Sequence, residues 1–270
     1  MKYKILLSAL LCCSLFSCKK DKDNPVPSAE SKCYAKSVAF SQDDQTYHIF
    51  HTQIRSQDGK TSEFTLSEGS NLSNSQIKHI KSDISDKNII RSYFDKNRNP
   101  VDLNDTIWIN ERKLPIKAIE HFNFDNGSLM IDQTDYYYEN NLLIKTIKRR
   151  TFNSEPSEIV KLFTYVDGIC SQTIEIVNRT GIDIHDTTYV NYEYYLDKPA
   201  QEELAYKYAN PGKHLIKRAE EINIIQGQFR IKDVENYTYE TNADGLVTKQ
   251  ITTNAAGKAV RYAKYEYSCQ

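Results

Sequence analysis

The sequence predicts an all-β fold: an antiparallel up-and-down meander of about a dozen strands, either a curved sheet or barrel-like, with at most one short helix. Three observations carry this expectation. Nineteen residues are tyrosine and mean hydropathy is only −0.63, which suits strands with one apolar face and one covered by Tyr, Thr, Lys, Glu and Asn. An aromatic–x–aromatic phrase followed by a polar turn and an aliphatic run recurs along the second half of the chain. Its spacing is nearly constant, with 27 residues from Tyr138 to Tyr165, 29 from Tyr165 to Tyr194 and 28 from Tyr239 to Tyr267. Residues two apart on a strand point to one side, so each aromatic pair belongs to one face, and each interval holds two strands and two turns.

Read from its start, the chain opens with an export signal. Lys2 and Lys4 precede a largely apolar stretch over residues 5–16. Twelve residues fall short of the about 20 that a membrane-spanning helix needs, so residues 1–17 read as a cleavable signal peptide outside the fold. The stretch closes on Leu15-Phe16-Ser17-Cys18, which resembles the lipobox of bacterial lipoproteins and implies a lipid attached at Cys18. Residues 18–33 then carry Lys19-Lys20-Asp21-Lys22-Asp23 and two prolines. Such a segment buries too little to offset its chain entropy and reads as a flexible tether. The charged run after the cysteine resembles the surface-export signal of Bacteroidota lipoproteins. It implies an outer-membrane lipoprotein exposed at the cell surface, with a periplasm-facing one as the alternative.

Residues 34–270 read as one β domain. Residues 46–54 and 61–66 fit strands about an Asp58-Gly59 turn. Ile77, Ile80 and Ile84 lie at helical spacing behind a Ser75 N-cap, so residues 75–85 are the one expected helix. Residues 88–94 and 106–109 fit further strands. The phrase then appears as Phe122-Asn123-Phe124, Tyr136-Tyr137-Tyr138, Phe163-Thr164-Tyr165, Tyr192-Glu193-Tyr194, Tyr237-Thr238-Tyr239 and Tyr265-Glu266-Tyr267. Turns such as Asp167-Gly168 and Asp244-Gly245 supply the positive φ of a tight hairpin, so Gly245 is expected to matter more than Gly257. The interval of 45 from Tyr194 to Tyr239 implies an insertion or a degenerate copy near Asn210-Pro211-Gly212.

Tyr237-Thr238-Tyr239 followed by a turn and Gly245-Leu246-Val247-Thr248-Lys249 resembles the tyrosine–aspartate (YD/RHS-like) repeats. With the lipobox and the tether, residues 116–269 are similar to a Bacteroidota lipoprotein family built from such repeats. That resemblance implies a β-repeat fold and carries over no catalytic residue. The turn aspartate is inconstant here, giving way to Asn141 in one copy and shifting to Asp197 in another.

Composition narrows the function classes. The formal charge of −1 becomes −3 once residues 1–17, with two lysines and no acid, are removed, which gives no basis for nucleic acid or anionic lipid as a partner. Four of the six cysteines follow residue 17. With Cys18 taken by lipid, a Cys33–Cys269 disulfide is expected if the meander closes, leaving Cys170 as a free thiol. By the chain-entropy account such a bridge stabilises by at most roughly 5 kcal/mol.

No motif marks a catalytic residue, a metal site or a cofactor. His48 and His51, three apart, fall on opposite strand faces, poor geometry for one ion. Asp183 and His185 share a face but lack a neighbouring nucleophile, and read as a solvated hairpin. Glycine-rich phosphate loops are absent. Trp108 reads as core or rim. Asp105-Thr106-Ile107 and Asp186-Thr187-Thr188 match a short O-glycosylation pattern at Thr106 and Thr187. The regular tyrosines read as cross-strand packing before a sugar platform. The function expected is therefore non-enzymatic: a membrane-anchored binding or interaction module with a glycan or an envelope protein as ligand. A carrier of lipid or polysaccharide in an apolar cavity, and a hydrolase assembled from distant loops, are the alternatives.

Overall fold

A computed structural model describes residues 33–46, 48–56, 60–66, 77–123, 128–179, 185–200 and 214–269. The strands are β1 (Cys33–Ser41), β2 (His48–Arg55), β3 (Thr61–Leu66), β4 (His79–Ile84), β5 (Asn88–Phe94), β6 (Pro100–Ile109), β7 (Pro115–Asn123) and β8 (Leu129–Glu139). They continue as β9 (Leu142–Phe152), β10 (Glu155–Val166), β11 (Ile169–Arg179), β12 (His185–Pro199), β13 (His214–Ile225), β14 (Gln228–Thr241), β15 (Val247–Thr253) and β16 (Ala259–Cys269). Each strand pairs with its sequence neighbours, and β1 pairs with β16, so sixteen strands form a closed antiparallel barrel. Closure leaves no strand edge unpaired.

The expected helix is instead β4, in register with β3 and β5. The spacing misled because Ile80 and Ile84 are four apart, an interval that suits one helix face and also one strand face. Between them Lys81 and Asp83 point the other way and form a 3.1 Å ion pair, an alternation that only a strand can use. Sixteen strands rather than a dozen follow from β4 and from hairpins in the first half that carry no glycine.

Those hairpins share one loop with the glycine-bearing ones. In residues 95–99, 110–114, 242–246 and 254–258 the first side chain, Asp95, Asn110, Asn242 or Asn254, accepts two backbone N–H bonds of 2.8–3.1 Å from within the loop. The fourth residue has positive φ: Arg98 (63°), Lys113 (61°), Gly245 (78°) and Gly257 (76°). Gly257 thus occupies the same position as Gly245, which corrects the expected difference between them. Tighter two-residue turns, with both residues at positive φ, occur at Asn140-Asn141, Asn153-Ser154, Asp167-Gly168 and Gln226-Gly227. The Asp58-Gly59 turn, the Ser75 cap, Asn210-Pro211-Gly212 and Asp183 lie outside the described residues.

The tyrosines have a use beyond packing. Bulges shift the register at Tyr137/Tyr138, Thr164/Tyr165, Glu193/Tyr194 and Glu240/Thr241. Each inserts one residue, Ile144, Ser171, Lys217 or Thr248, into the second strand of its hairpin, which takes the local backbone out of the ladder. The carbonyl just before each insertion accepts a hydroxyl bond from a tyrosine on the next strand. Tyr165 donates to Leu143 O at 2.8 Å, Tyr194 to Cys170 O at 2.7 Å, Tyr239 to Ile216 O at 2.9 Å and Tyr267 to Val247 O at 2.8 Å. Burial raises the hydroxyl pKa of Tyr165, Tyr194 and Tyr239, the direction that keeps each a donor. Around these bonds Leu143, Cys170 and Val247 are buried. Ile107, Ile109 and Ala118, with Ile89 and Tyr136 against them, form a second apolar cluster.

Candidate functional site

Alternation along each strand gives the barrel two faces, and one of them lines a cavity of about 420 Å³. The cavity touches β10 through Lys161, β11 through Thr173 and Glu175, and β12 through Thr188 and Tyr192. From β13, β14 and β16 come Glu221, Asp233, Glu235, Tyr237 and Arg261. These residues belong to one face by cross-strand register, which identifies it as the lumen.

The lumen face is mixed: register places the buried Ile107, Ala118, Leu143, Cys170 and Val247 on it together with charged and hydroxyl side chains. On β8 and β9, Asp132 is fully buried and takes a two-pronged bond from Arg150, 2.8 Å on each oxygen, with the Lys148 ammonium 3.1 Å away. Burial alone would raise the Asp132 pKa, but the Arg150 bonds and the Lys148 charge outweigh it and hold the carboxyl below its ordinary value. Asp105 is nearly as buried. It accepts a bond from the Tyr93 hydroxyl, and its other oxygen accepts the His121 N–H at 2.8 Å. The ladder between β6 and β7 begins only at Thr106, so this carboxylate serves a backbone group that the ladder leaves unserved. Arg91 and Glu120 meet at 3.4 Å. All these carboxylates have structural partners.

Nearer the cavity the charges are also largely matched. Lys161 lies 3.8 Å from Glu175, and Arg261 lies 3.3 Å from Glu235, which also accepts the Tyr237 hydroxyl. Glu221 and Asp233 are direct cross-strand partners, and no ion pair reaches either among the described residues. Carboxylates, two cations, threonine hydroxyls and the rings of Tyr192 and Tyr237 thus form most of the walls, with Val190, Ile216 and Ala219 between them. Such a surface can hydrogen-bond a hydroxyl-bearing solute and stack on it, and it offers little to an acyl chain.

The residues singled out from sequence do not converge. Cys18 lies outside the described residues. Thr106 and Thr187 lie on the outer wall of β6 and β12, each between two isoleucines of neighbouring strands. Trp108 is also on the outer wall, with the Lys117 ammonium 5.6 Å from its ring centre. The side chains of His48, His51 and His185 lie outside the described residues, and no group of three metal-ligating side chains occurs among the described ones. Cys33 and Cys269 are register partners at the β1–β16 seam, although their side chains are outside the described set. Cys170 is a free, buried thiol that donates to Gln172 O at 3.6 Å, its pKa pushed up to about 11 by burial. The cavity residues went unnoticed in the sequence because a charged residue at every second strand position reads as a solvated outer face.

The chain is similar to a porin-like protein of Bacteroides vulgatus ATCC 8482, with 12% identity and a TM-score of 0.60 over 87% of this chain and 98% of that one. A porin-like protein of Bacteroides uniformis ATCC 8492 matches with 11% identity and a TM-score of 0.48 over 87% and 96%. No protein-family model and no curated protein matches the chain. The first likeness is one of barrel fold.

Proposed function

We propose that this chain is a non-enzymatic binding lipoprotein of the cell envelope, anchored through Cys18, whose barrel stands in water and takes a small hydroxyl-rich ligand, such as a short saccharide, in its lumen. The observation that carries the reading is the cavity of about 420 Å³ whose walls are mostly charged, threonine and tyrosine side chains, with Val190, Ile216 and Ala219 the apolar minority. Its size is within the range of pockets that enclose one small molecule. The mostly polar walls argue against an apolar-cavity carrier.

The outer wall supports a barrel held beside the bilayer instead of inside it. A membrane barrel presents an apolar band about 25 Å tall, and a cation at its middle costs about 2–4 kcal/mol. Here Arg149, in the second half of β9, points outward, half exposed, and pairs with Asp135 at 2.6 Å and Glu158 at 3.9 Å. Arg218, Glu193, Glu220 and Lys232 form a second outward cluster across β12 to β14. The strands β3 and β4 have six residues each, short of the 9–11 that cross a bilayer. The tyrosine–aspartate repeat lipoproteins suggested by the sequence fit the same picture of a tethered β domain.

Fractionation with ligand titration tests the proposal. The wild type should enter the membrane fraction and incorporate labelled palmitate, while Cys18→Ala should be soluble without detergent. Membrane retention of that variant through a high-pH wash would place the barrel in lipid and sink the anchoring reading. A panel of soluble saccharides should give saturable shifts in tyrosine resonances that Tyr192→Ala removes. Absence of saturable binding across the panel would remove the ligand reading.

A further inference from the structure

The seam of the barrel carries one more assignment. Fifteen of the sixteen ladders join strands that follow each other in sequence. The β1–β16 ladder alone joins the two ends of the meander. It must be formed against the loop-closure entropy of nearly the whole domain, with no hairpin to hold its register. Across that ladder Cys33, the first residue of β1, is the direct partner of Cys269, the last residue of β16.

Direct partners on antiparallel strands have Cα atoms about 4.5 or about 5.5 Å apart, depending on the kind of pair. Both values fall within the Cα range of roughly 4.4–6.8 Å that a disulfide spans. The bulge between Ala35 and Ser37 lies inward of the pair and leaves the run from Cys33 to Ala35 in step with Cys269 to Tyr267. Among the other cysteines that follow the signal, Cys18 is the lipid-bearing residue of the proposed function. Cys170 is buried on β11 with its pKa raised to about 11, so it carries almost no thiolate with which to attack a disulfide.

We propose that Cys33 and Cys269 form a disulfide that fastens the seam of the barrel. Two thiols lose two protons and two electrons as the S–S bond forms, and an external disulfide, of a protein oxidant or of glutathione, accepts them and is reduced to two thiols. The inference rests on the export reading only for where that oxidant is met; the geometry stands without it. Fastened in this way, β1 cannot peel from β16 when its own N-terminal extension is pulled, and neither strand can offer its edge to another chain.

Full-length protein, purified and reduced, is incubated with oxidised glutathione and mapped without reductant. The expected result is a peptide joining Cys33 to Cys269, with Cys170 alkylated only after unfolding. The oxidised protein should unfold at a higher urea concentration than the reduced one, and Cys33→Ser and Cys269→Ser should each abolish that difference. Both variants keep the reduced ladder, so loss of folding in one is read against the reduced wild type. Alkylation of both thiols after oxidation, or any linked peptide containing Cys170, would overturn the proposal. Failure of export shows in fractionation and leaves this outcome unchanged, so the two readings fail separately.

Discussion

Tyr239→Phe is the substitution that best probes how the barrel is built. It removes one oxygen and leaves the ring, whose edge-on contact with Tyr195 at 6.2 Å should persist. What is lost is the bond from the hydroxyl to Ile216 O, 2.9 Å long, at the point where the Lys217 insertion breaks the β12–β13 ladder. A buried acceptor left without its donor costs about 1–3 kcal/mol, and a carbonyl keeps a second lone pair, so about 1–2 kcal/mol is expected. For a domain of this size that is roughly 2–8 °C in melting temperature. Tyr165→Phe should cost a similar amount, since it breaks the equivalent bond to Leu143 O. The two sites lie four strands apart, about 19 Å at the usual strand spacing, so the double variant should lose the sum. Tyr137→Phe is the control: that ring points outward, 42% exposed, with its neighbour Lys145 5.8 Å from the ring centre. Urea unfolding of all four proteins gives the comparison. If the two bulge variants are as stable as the control, the hydroxyls are ornament and the account of the bulges is wrong.

Gly245→Val and Gly257→Val should destabilise to a similar extent, because their φ values are 78° and 76° in loops with the same hydrogen-bond pattern; melting curves that clearly separate the two would contradict the shared geometry. Arg98→Gly, at the same loop position, should stabilise by about 0.5–1 kcal/mol by relieving left-handed backbone strain, less whatever its exposed 2.9 Å contact with Glu63 contributes. Asp132→Asn should cost about 2–3 kcal/mol at neutral pH, short of a fully buried pair because Arg150 and Lys148 remain about a third exposed. The Asp132 carboxyl is depressed in the folded state, so its contribution is complete above the ordinary carboxylate value near 4 and falls away as the pH drops through the lowered one. Stability measured from pH 6 to pH 2 should therefore fall less steeply for Asp132→Asn than for the wild type, and parallel curves would show that the triad does not hold the carboxylate ionised.

Much of the second half was legible because its signals are chemically loud. A glycine at Asp167-Gly168 or Asp244-Gly245 announces a turn, and two tyrosines one residue apart announce a strand face. The first half uses the same five-residue loop with Arg98 and Lys113 where Gly245 and Gly257 stand. Asp95 and Asn110 still organise those loops, yet nothing in the residue type at the fourth position reveals it. Ile80 and Ile84 were ambiguous for a different reason, since an interval of four belongs to both periodicities. The lumen was hidden by its chemistry. Asp132 and Arg150 are eighteen residues apart, and only the register of β8 with β9 makes them partners. The tyrosine hydroxyls follow the same rule, because their acceptors are backbone carbonyls that no sequence pattern marks.

An even number of strands has a practical consequence. With sixteen, β1 begins and β16 ends at the same rim, so anything fused beyond either strand emerges on that side. The opposite rim consists of connections alone, among them the turns at Asn153-Ser154 and Gln226-Gly227 and the loop over residues 254–258. A label meant to report from that rim has to be inserted there. The two-residue turns hold strand register and tolerate little, whereas the five-residue loop is closed by Asn254 through its own side chain. Lengthening it between Ala255 and Ala256 keeps that asparagine and gives a tag access to the rim farthest from both ends of the barrel.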